Sequence, residues 1–548
     1  MDYLSLCLIC RDENDYLPEW LDYHILMGVD RFYIYDNESQ VSLRETLKDY
    51  IKRGWVVVVD IPGKAMQLYA YDHCLQIFGA NTFWMGFIDT DEFLVPKTNQ
   101  NLKELLKAYE QYGGLAISSL FFGSSGHTIR PTGGQIAAYT YHPQPTIKEY
   151  ELVKSIVQPG SVLMPNSPHD FIYKEGVWCV NEGFLRVDYQ RFPSHTEKIQ
   201  LNHYYCRSES EIDLKLRRGN SQSVAWARQR FETVNQLASY EDKNILLSLK
   251  VLFQKSGFNT DGLVDLQAAN LLEKMAGLAC QRKSVPLGMI PPREAQGFRS
   301  EVSVWLEIKK QWELAKARRD QKQILQLDLD MLRLYPHHVH TLVVLAIDYL
   351  GLNELAAAWQ FLTRAWQLAP NNNYNVLCGM ALYFLKLDNF SMAENTCRLI
   401  LEMAPHDMVV LGLLTQSLIG QGSYEEAIKV GVPLLELAGT PAWELSDQMG
   451  GIIVKNMADY LLEKKDYAGA VRVWEAGVKC QPGDVNALLE LSRCLILAND
   501  KTGARRQLAQ AQAIVPQNED VLTMLNQVAL SPVLHRPSSA VRRQKKRI

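Results

Sequence analysis

Long apolar runs are missing from this 548-residue chain. The longest, such as Val56-Val57-Val58-Val59, are strand-length and far below the roughly 20 residues a membrane helix needs. Charge of one sign is missing too. Lys and Arg number 57 against 61 Asp and Glu, a net charge of −4, which speaks against a chain built as a whole to coat nucleic acid or an anionic membrane. Cysteine is sparse: ten residues scattered from Cys7 to Cys494 read as reduced thiols of a cytoplasmic protein rather than a disulfide framework. Met1-Asp2-Tyr3 supplies no basic leader, and Arg11, Asp12 and Glu13 interrupt the first apolar stretch, so no secretory signal is expected. What remains is globular composition, 47% hydrophobic and 22% charged, in a chain long enough for several domains of about 150 residues.

The first 125 residues alternate strand and helix patterns. Tyr3 to Cys10, Arg31 to Tyr35, Trp55 to Ile61, Phe83 to Ile88 and Leu115 to Phe122 read as strands. Between them Leu17 to Gly28, Leu43 to Lys52, Ala65 to Phe78 and Leu102 to Tyr109 carry helical spacing. That alternation predicts βαβ units and a mostly parallel sheet with helices on both faces. From Ser124 to about Asn202 the chain is rich in Gly, Pro, His and Tyr and reads as long loops, where a site or lid is expected. Helix resumes at Glu209 and runs to about Gln281, and Lys283 to Gly297, with Pro286, Pro291 and Pro292, reads as a linker.

The second half repeats. Pro336, Pro370, Pro405, Pro441, Pro482 and Pro516 are spaced by 34, 35, 36, 41 and 34 residues. Ala358, Ala393, Ala470 and Ala504 sit twelve positions before their prolines, and Ala427 sits fourteen before Pro441. A period near 34, with a small residue where two helices cross and Pro closing the second, resembles the tetratricopeptide repeat over about 303 to 530. Such a solenoid offers a concave surface for a protein or peptide, or serves as a plain stabilising extension.

Chemistry concentrates in Phe87-Ile88-Asp89-Thr90-Asp91-Glu92-Phe93, three carboxylates leaving an apolar strand. Ligands of open α/β sheets bind beyond the carboxyl ends of strands. Asp-x-Asp at such an end suits a hard cation, Mn or Mg, that in turn holds a diphosphate. The bland alternative is a solvated acidic turn, but three acids wedged between apolar runs repel one another unless a cation or base stands near. Cys10-Arg11-Asp12-Glu13-Asn14 and Tyr35-Asp36-Asn37-Glu38-Ser39 close the first two strands at the same sheet edge. Each alone would pass for a cap or turn; together they outline a nucleotide-sized crevice.

Taken in order, Arg11-Asp12-Glu13, Leu17-Pro18-Glu19-Trp20-Leu21, Tyr23-His24, Phe32 to Ser39, Gln67, Trp84, Ile88 to Leu94, Lys154 with Ile156-Val157-Gln158-Pro159, His169, Asn202-His203-Tyr204-Tyr205, Ser208 to Glu211 and Lys215 with Arg217-Arg218-Gly219 resemble the family-2-like and family-92 glycosyltransferases of GT-A fold. The resemblance covers about residues 3 to 220. It departs at Asp12, where the family usually has Asn, and at Gln40-Val41, where it has an Asp. It implies a UDP-sugar donor held through Mn2+ or Mg2+, with Asp91 a direct ligand, Asp89 shared between metal and ribose, and His203 completing the coordination. Glu13 and Asp36 would face the uridine, Arg11 would orient the base or the acids, Gln67 would join the nucleotide-sugar site, and Lys154 would be a second cation for the diphosphate. An inverting transfer needs a further carboxylate as base; Asp170, Glu175 and Glu182 are the candidates, and the sequence does not choose among them. Galactose is the donor sugar the resemblance favours.

The expected organisation is a GT-A glycosyltransferase domain (an α/β, Rossmann-like mixed sheet) over 1–220, a helical annex over 221–281, a linker over 282–300, an all-α tetratricopeptide solenoid over 301–530 and a basic disordered tail over 531–548. Acceptors in view are a glycan or polysaccharide, a lipid, or a protein delivered by the repeats. Nucleic acid is not expected, and the tail, ending Arg542-Arg543-Gln544-Lys545-Lys546-Arg547, is solvated or touches anionic lipid at the inner membrane face. Two other functions compete: a repeat scaffold whose sugar-nucleotide domain only binds, and a nucleotidyltransferase. Cys7 and Cys10 would point to opposite faces of a strand, and His337, His338 and His340 read as loop histidines at a repeat boundary.

Overall fold

The structure, a computed structural model, describes residues 1–97, 101–144, 151–218, 224–256, 268–284, 286–370, 373–437 and 447–530. The basic tail and Pro441 lie outside the described residues. Strands β1 (Asp2–Cys10), β2 (Arg31–Asp36), β3 (Val56–Asp60) and β4 (Thr82–Phe87) form a parallel half-sheet in the order β3-β2-β1-β4. Their apolar runs are continuous because both faces are covered. Leu4, Leu6, Leu8, Phe32, Ile34, Val56 and Val58 enter one core with Trp20 and Leu21 of helix Leu17–Leu26. Cys7, Tyr33, Tyr35, Val57 and Val59 enter the other with Tyr71, Cys74 and Phe78 of helix Gln67–Phe78. Cys7 and Cys10 thus fall in opposite cores, as their spacing on a strand requires. No disulfide joins the described cysteines.

Beyond this half the sheet is mixed. The chain goes on through β5 (Glu92–Pro96), β6 (Gly114–Phe121), β7 (Tyr141–His142), β8 (Val153–Val157), β9 (Val162–Pro165), β10 (Phe171–Tyr173), β11 (Cys179–Val180), β12 (Arg186–Val187) and β13 (Ile199–His203). Strand β8 inserts antiparallel between β4 and β6, and β13 pairs antiparallel with β5 and parallel with β6. The described part of the segment read as irregular loop therefore carries seven short strands of two to five residues each, too brief to display a period of two. Strand β5 directly after the acidic turn also escaped the sequence reading.

From Ser300 onward the described chain is helical, in pairs such as Val339–Gly351 with Leu355–Leu368 and Val485–Leu497 with Lys501–Ile514. The repeat alanines Ala358, Ala393, Ala427, Ala470 and Ala504 are all fully buried. No described helix is long and apolar enough to cross a membrane. The chain divides into two compact units, residues 1–383 with 402–406 and residues 384–401 with 407–548. The second unit is built on Ile453, Met457, Val473, Trp474, Leu491 and Leu508, with Asp466, Asp484 and Asp500 capping successive helices.

In the first unit the sheet and the earliest repeat helices share one core. Trp305 and Val302 of helix Ser300–Arg318 pack on Met164 of β9 and Ile172 of β10. The Trp305 indole donates to Asn166 Oδ1 at 3.2 Å, and Lys309 Nζ donates to the Asn166 carbonyl at 2.8 Å. The stretch read as a linker is laid against β3: Asp60 N–H donates to the Arg293 carbonyl at 2.7 Å, and Ala295 N–H to the Asp60 carbonyl at 2.8 Å. Its prolines mark extended chain pinned to a sheet edge.

Two predictions follow from this packing. Trp305→Ala removes a fully buried indole and should cost the first unit about 3–5 kcal/mol in denaturant unfolding; a loss below about 1 kcal/mol would show that the helix is not part of that core. The second concerns His24, fully buried between Trp20 and Phe93. It accepts the Leu94 N–H on Nε2 at 3.3 Å, with Nδ1 2.8 Å from the Trp20 carbonyl. Burial pulls its pKa from 6.5 to about 3, so its stabilising contribution is complete above pH 6.5 and is lost as pH falls toward the folded value. His24→Leu should therefore gain on the parent by about 2 kcal/mol between pH 6.5 and 5. A stability difference that does not change with pH would contradict this.

Candidate active site

Three strand ends meet at one edge of the sheet and are stitched together. Asp12 N–H donates to Ser39 Oγ at 3.0 Å, Gln40 N–H to Asp12 Oδ1 at 2.7 Å and Ser39 N–H to Asp36 Oδ1 at 2.9 Å. Asn37 reaches the end of β3, donating to the Ile61 carbonyl at 2.7 Å. Asp12 sits at φ 56°, a left-handed conformation that Asn and Asp tolerate best among residues with side chains. The departure from Asn at this position is therefore conservative for the backbone. Arg11 stands half-exposed at this rim, 3.9 Å from Asp12.

Asp89, Thr90 and Asp91 form the turn that follows β4 and leads into β5 at Glu92. The antiparallel register of β5 and β13 sets His203 opposite Glu92. His203 Nε2 lies 3.6 Å from Asp91 Oδ1 and its Nδ1 lies 3.5 Å from Glu92 Oε1. Asp89, the most exposed of the three acids at 33%, accepts from Gln67 Nε2 at 3.2 Å and from Lys154 Nζ at 3.0 Å. Lys154 is 1% exposed and also reaches Glu92 at 3.3 Å.

Every buried acid here has a countercharge. Burial works to raise the Asp91 pKa, but Lys215 Nζ at 2.8 Å, with His203 and Arg207, outweighs it and holds the carboxyl well below its usual range. Lys154 behaves conversely: burial pulls it down, yet Asp89 and Glu92 keep it well above an ordinary lysine. Glu92 is raised, by burial first and then by Asp89, although Lys154 opposes the shift. Arg207 joins the two rims. Its Nη1 donates to Glu13 Oε2 at 2.8 Å, its Nε to Gln135 Oε1 at 2.9 Å, and its guanidinium lies 3.9 Å from the Tyr16 ring centre. Thr90 Oγ1 adds a bond to Glu13 at 3.2 Å, tying the acid turn to the end of β1.

Glu13, Asp36, Gln67, Asp89, Asp91, Lys154 and His203 thus gather around the ends of the sheet strands. Arg207 was missed, because four residues beyond β13 it belongs to no periodic pattern. Its signal was electrostatic: three acids in an apolar setting required cations, and Arg207 and Lys215 follow His203 closely. The three carboxylates considered as bases each have partners of their own. Asp170 braces the β9–β10 turn, accepting from Asn166 Nδ2 at 2.7 Å and from Ser167. Glu182 accepts the backbone N–H groups of Glu197, Lys198 and Ile199 at 2.6, 2.9 and 2.9 Å. Glu175 is exposed and lies 3.4 Å from His337 Nε2.

Residues 3–235 match the family model described as Glycosyltransferase family 92, and residues 461–528 match one described as Tetratricopeptide repeat. The N-terminal region is thus similar to family 92 glycosyltransferases, and tetratricopeptide repeats follow it. A family 92 protein of Oryza sativa subsp. japonica is 32% identical over 197 residues, 34% of this chain and 33% of the relative. One of Ricinus communis is 29% identical over 198 residues, 34% of this chain and 35% of the relative. The chain thus spans about a third of the length of the curated relatives it matches. Among solved structures, one described as Pseudomonas aeruginosa PilF is 14% identical with a TM-score of 0.33, covering 42% of this chain and 100% of its own.

The loop that carries Gln135 depends on one glycine. Gly134 has φ 94°, and a Cβ there would stand 2.6 Å from the Glu19 carboxyl carbon. Glu19 accepts the N–H groups of Gln135 and Ile136 at 2.7 and 3.0 Å, and Gln135 Nε2 in turn donates to the Thr90 carbonyl at 3.1 Å. Gly134→Ala should lower stability by about 1–3 kcal/mol through backbone strain and displace Gln135 from Thr90 and Arg207. Thermal unfolding and nucleotide affinity read the two effects, and an unchanged variant would remove this loop from the account.

Proposed function

We propose that the N-terminal domain is a GT-A-type, metal-dependent glycosyltransferase that takes a sugar from a UDP-sugar donor, UDP-galactose first among candidates, and delivers it to a glycan, lipid or protein acceptor. The observation that carries this reading is the pairing of Asp91 and His203 at a strand end ringed by Lys154, Arg207 and Lys215. Asp91 Oδ1 and His203 Nε2, 3.6 Å apart, have the donor chemistry for Mn2+, whose sites accept both carboxylate and imidazole. Among the described residues no three His, Cys, Asp or Glu side chains form a preformed metal site. The remaining positions would go to diphosphate and water oxygens, as is usual for a cation bound with substrate phosphates. When bound, the metal would neutralise charge on the departing diphosphate.

The chain's own residues supply the rest. Glu13 and Asp36, set by the first two strand ends, would face the nucleoside, and Asp89 would be shared between metal and ribose. Lys154, held at 1% exposure by Asp89 and Glu92, adds fixed positive potential without cost of reorganisation at the moment of transfer. The tetratricopeptide repeats would present a protein or peptide partner, and through it an acceptor.

The test is thermal stabilisation by UDP and UDP-sugars with and without Mn2+, followed by hydrolysis or transfer of the stabilising donor. The reading predicts a shift that needs both components and is abolished in Asp91→Asn. Stabilisation by both with no turnover on any acceptor would assign a binding scaffold instead. No stabilisation under any combination would overturn the reading.

A further inference from the structure

The three cations of the site are not held alike. Lys154 is enclosed by two carboxylates, Asp89 and Glu92. Arg207 is locked by Gln135, Glu13 and the face of Tyr16. Lys215, on the helix Glu209–Arg218, has one carboxylate partner among the described residues, Asp91 Oδ2 at 2.8 Å, and is 31% exposed. Its other close neighbour is the Tyr205 ring, 4.6 Å from the ammonium. It is a flexible point charge with one strong bond.

That bond falls on the carboxylate assigned to the metal. Asp91 is almost wholly buried and needs a countercharge wherever Lys215 is. A divalent cation between Asp91 Oδ1 and His203 would face the ammonium across a single carboxyl group, in a low-dielectric pocket where like charges repel strongly. A diphosphate resolves the conflict, because its oxygens accept the ammonium while the cation takes over Asp91.

We propose that Lys215 is an exchangeable counter-cation, bonded to Asp91 in one state and to the donor diphosphate in the other, so that metal binding is made dependent on the nucleotide. The inference rests on the metal-dependent reading above and deepens it: the enzyme would bind free metal weakly, and metal and UDP would each promote the other's binding by the same factor.

The test is Mn2+ binding followed by the electron paramagnetic resonance signal of the free ion, with and without UDP, in the full chain. In the parent, UDP should tighten Mn2+ binding by on the order of 5- to 150-fold. Lys215→Met should bind Mn2+ alone more tightly than the parent does, with the enhancement by UDP reduced severalfold, while Lys215→Arg keeps the dependence. Far-ultraviolet circular dichroism checks that each variant is folded, and Lys215→Gln gives a second neutral variant. If both neutral variants bind Mn2+ alone no better than the parent and keep its enhancement by UDP, the exchange is wrong while the metal-dependent reading stands. If the parent binds neither Mn2+ nor UDP, both fall together.

Discussion

Strand β13 runs antiparallel to β5, and its register brings His203 and the chain that follows it to an acidic turn more than a hundred residues earlier. Everything at the candidate site depends on that pairing. It sets the imidazole between Asp91 and Glu92, and it directs the next dozen residues so that Arg207 and Lys215 arrive on the acids as well. The Tyr204 N–H donates to the Asp91 carbonyl at 2.8 Å, extending the ladder into the turn itself. A shift of one residue would send His203 to the other face of the strand and leave Asp91 without its partner.

Burying several acids and bases together is unfavourable unless each is paired and hydrogen-bonded. The domain meets this requirement by placing Lys154 on a strand inserted between β4 and β6, and Arg207 on the face of an aromatic ring. The site's side chains are held by regular elements: β8 for Lys154, β13 and its exit for His203 and Arg207, and helix Gln67–Phe78 for Gln67. The earliest repeat helices contribute to that support. Through Trp305 and Asn166 they clamp the β9–β10 hairpin, whose His169 carbonyl accepts from Ser155 on β8 at 2.8 Å. In the first unit, then, the repeats and the sheet are one folded body, and the array performs a structural task besides any it has as a binding surface.

Much of this was legible in the residues. Alternating strand and helix patterns yielded the parallel half of the sheet, because runs such as Val56 to Val59 are long and flanked by clear helical segments. The proline and alanine register yielded the repeats, because Ala393 or Ala470 recurs wherever two helices touch. The acidic turn, the two other strand ends, Lys154 and His203 stood out through an ordered series of motifs. What was not legible depends on distant pairing. Strands of two to five residues carry no visible period, so β8 to β13 read as loop. Arg207 has meaning only once β13 is laid beside β5. Asp170, Glu175 and Glu182 have the chemistry of a base in sequence, and only their hydrogen bonds show them bracing loops or facing a surface histidine. The Pro-rich stretch before the repeats looked like a linker because extended chain and linker share a composition.

In the proposed complex the turn at Asp91 and the strand end at His203 converge on one cation with the donor diphosphate. Pulsed electron paramagnetic resonance of Mn2+ bound to the protein with UDP addresses this directly. Such convergence gives a phosphorus hyperfine coupling from the diphosphate together with a nitrogen coupling from one imidazole, the nitrogen signal vanishing in His203→Gln. A protein-bound Mn2+–UDP signal with phosphorus but no nitrogen coupling would contradict it, and would place the metal away from the pairing of β5 and β13.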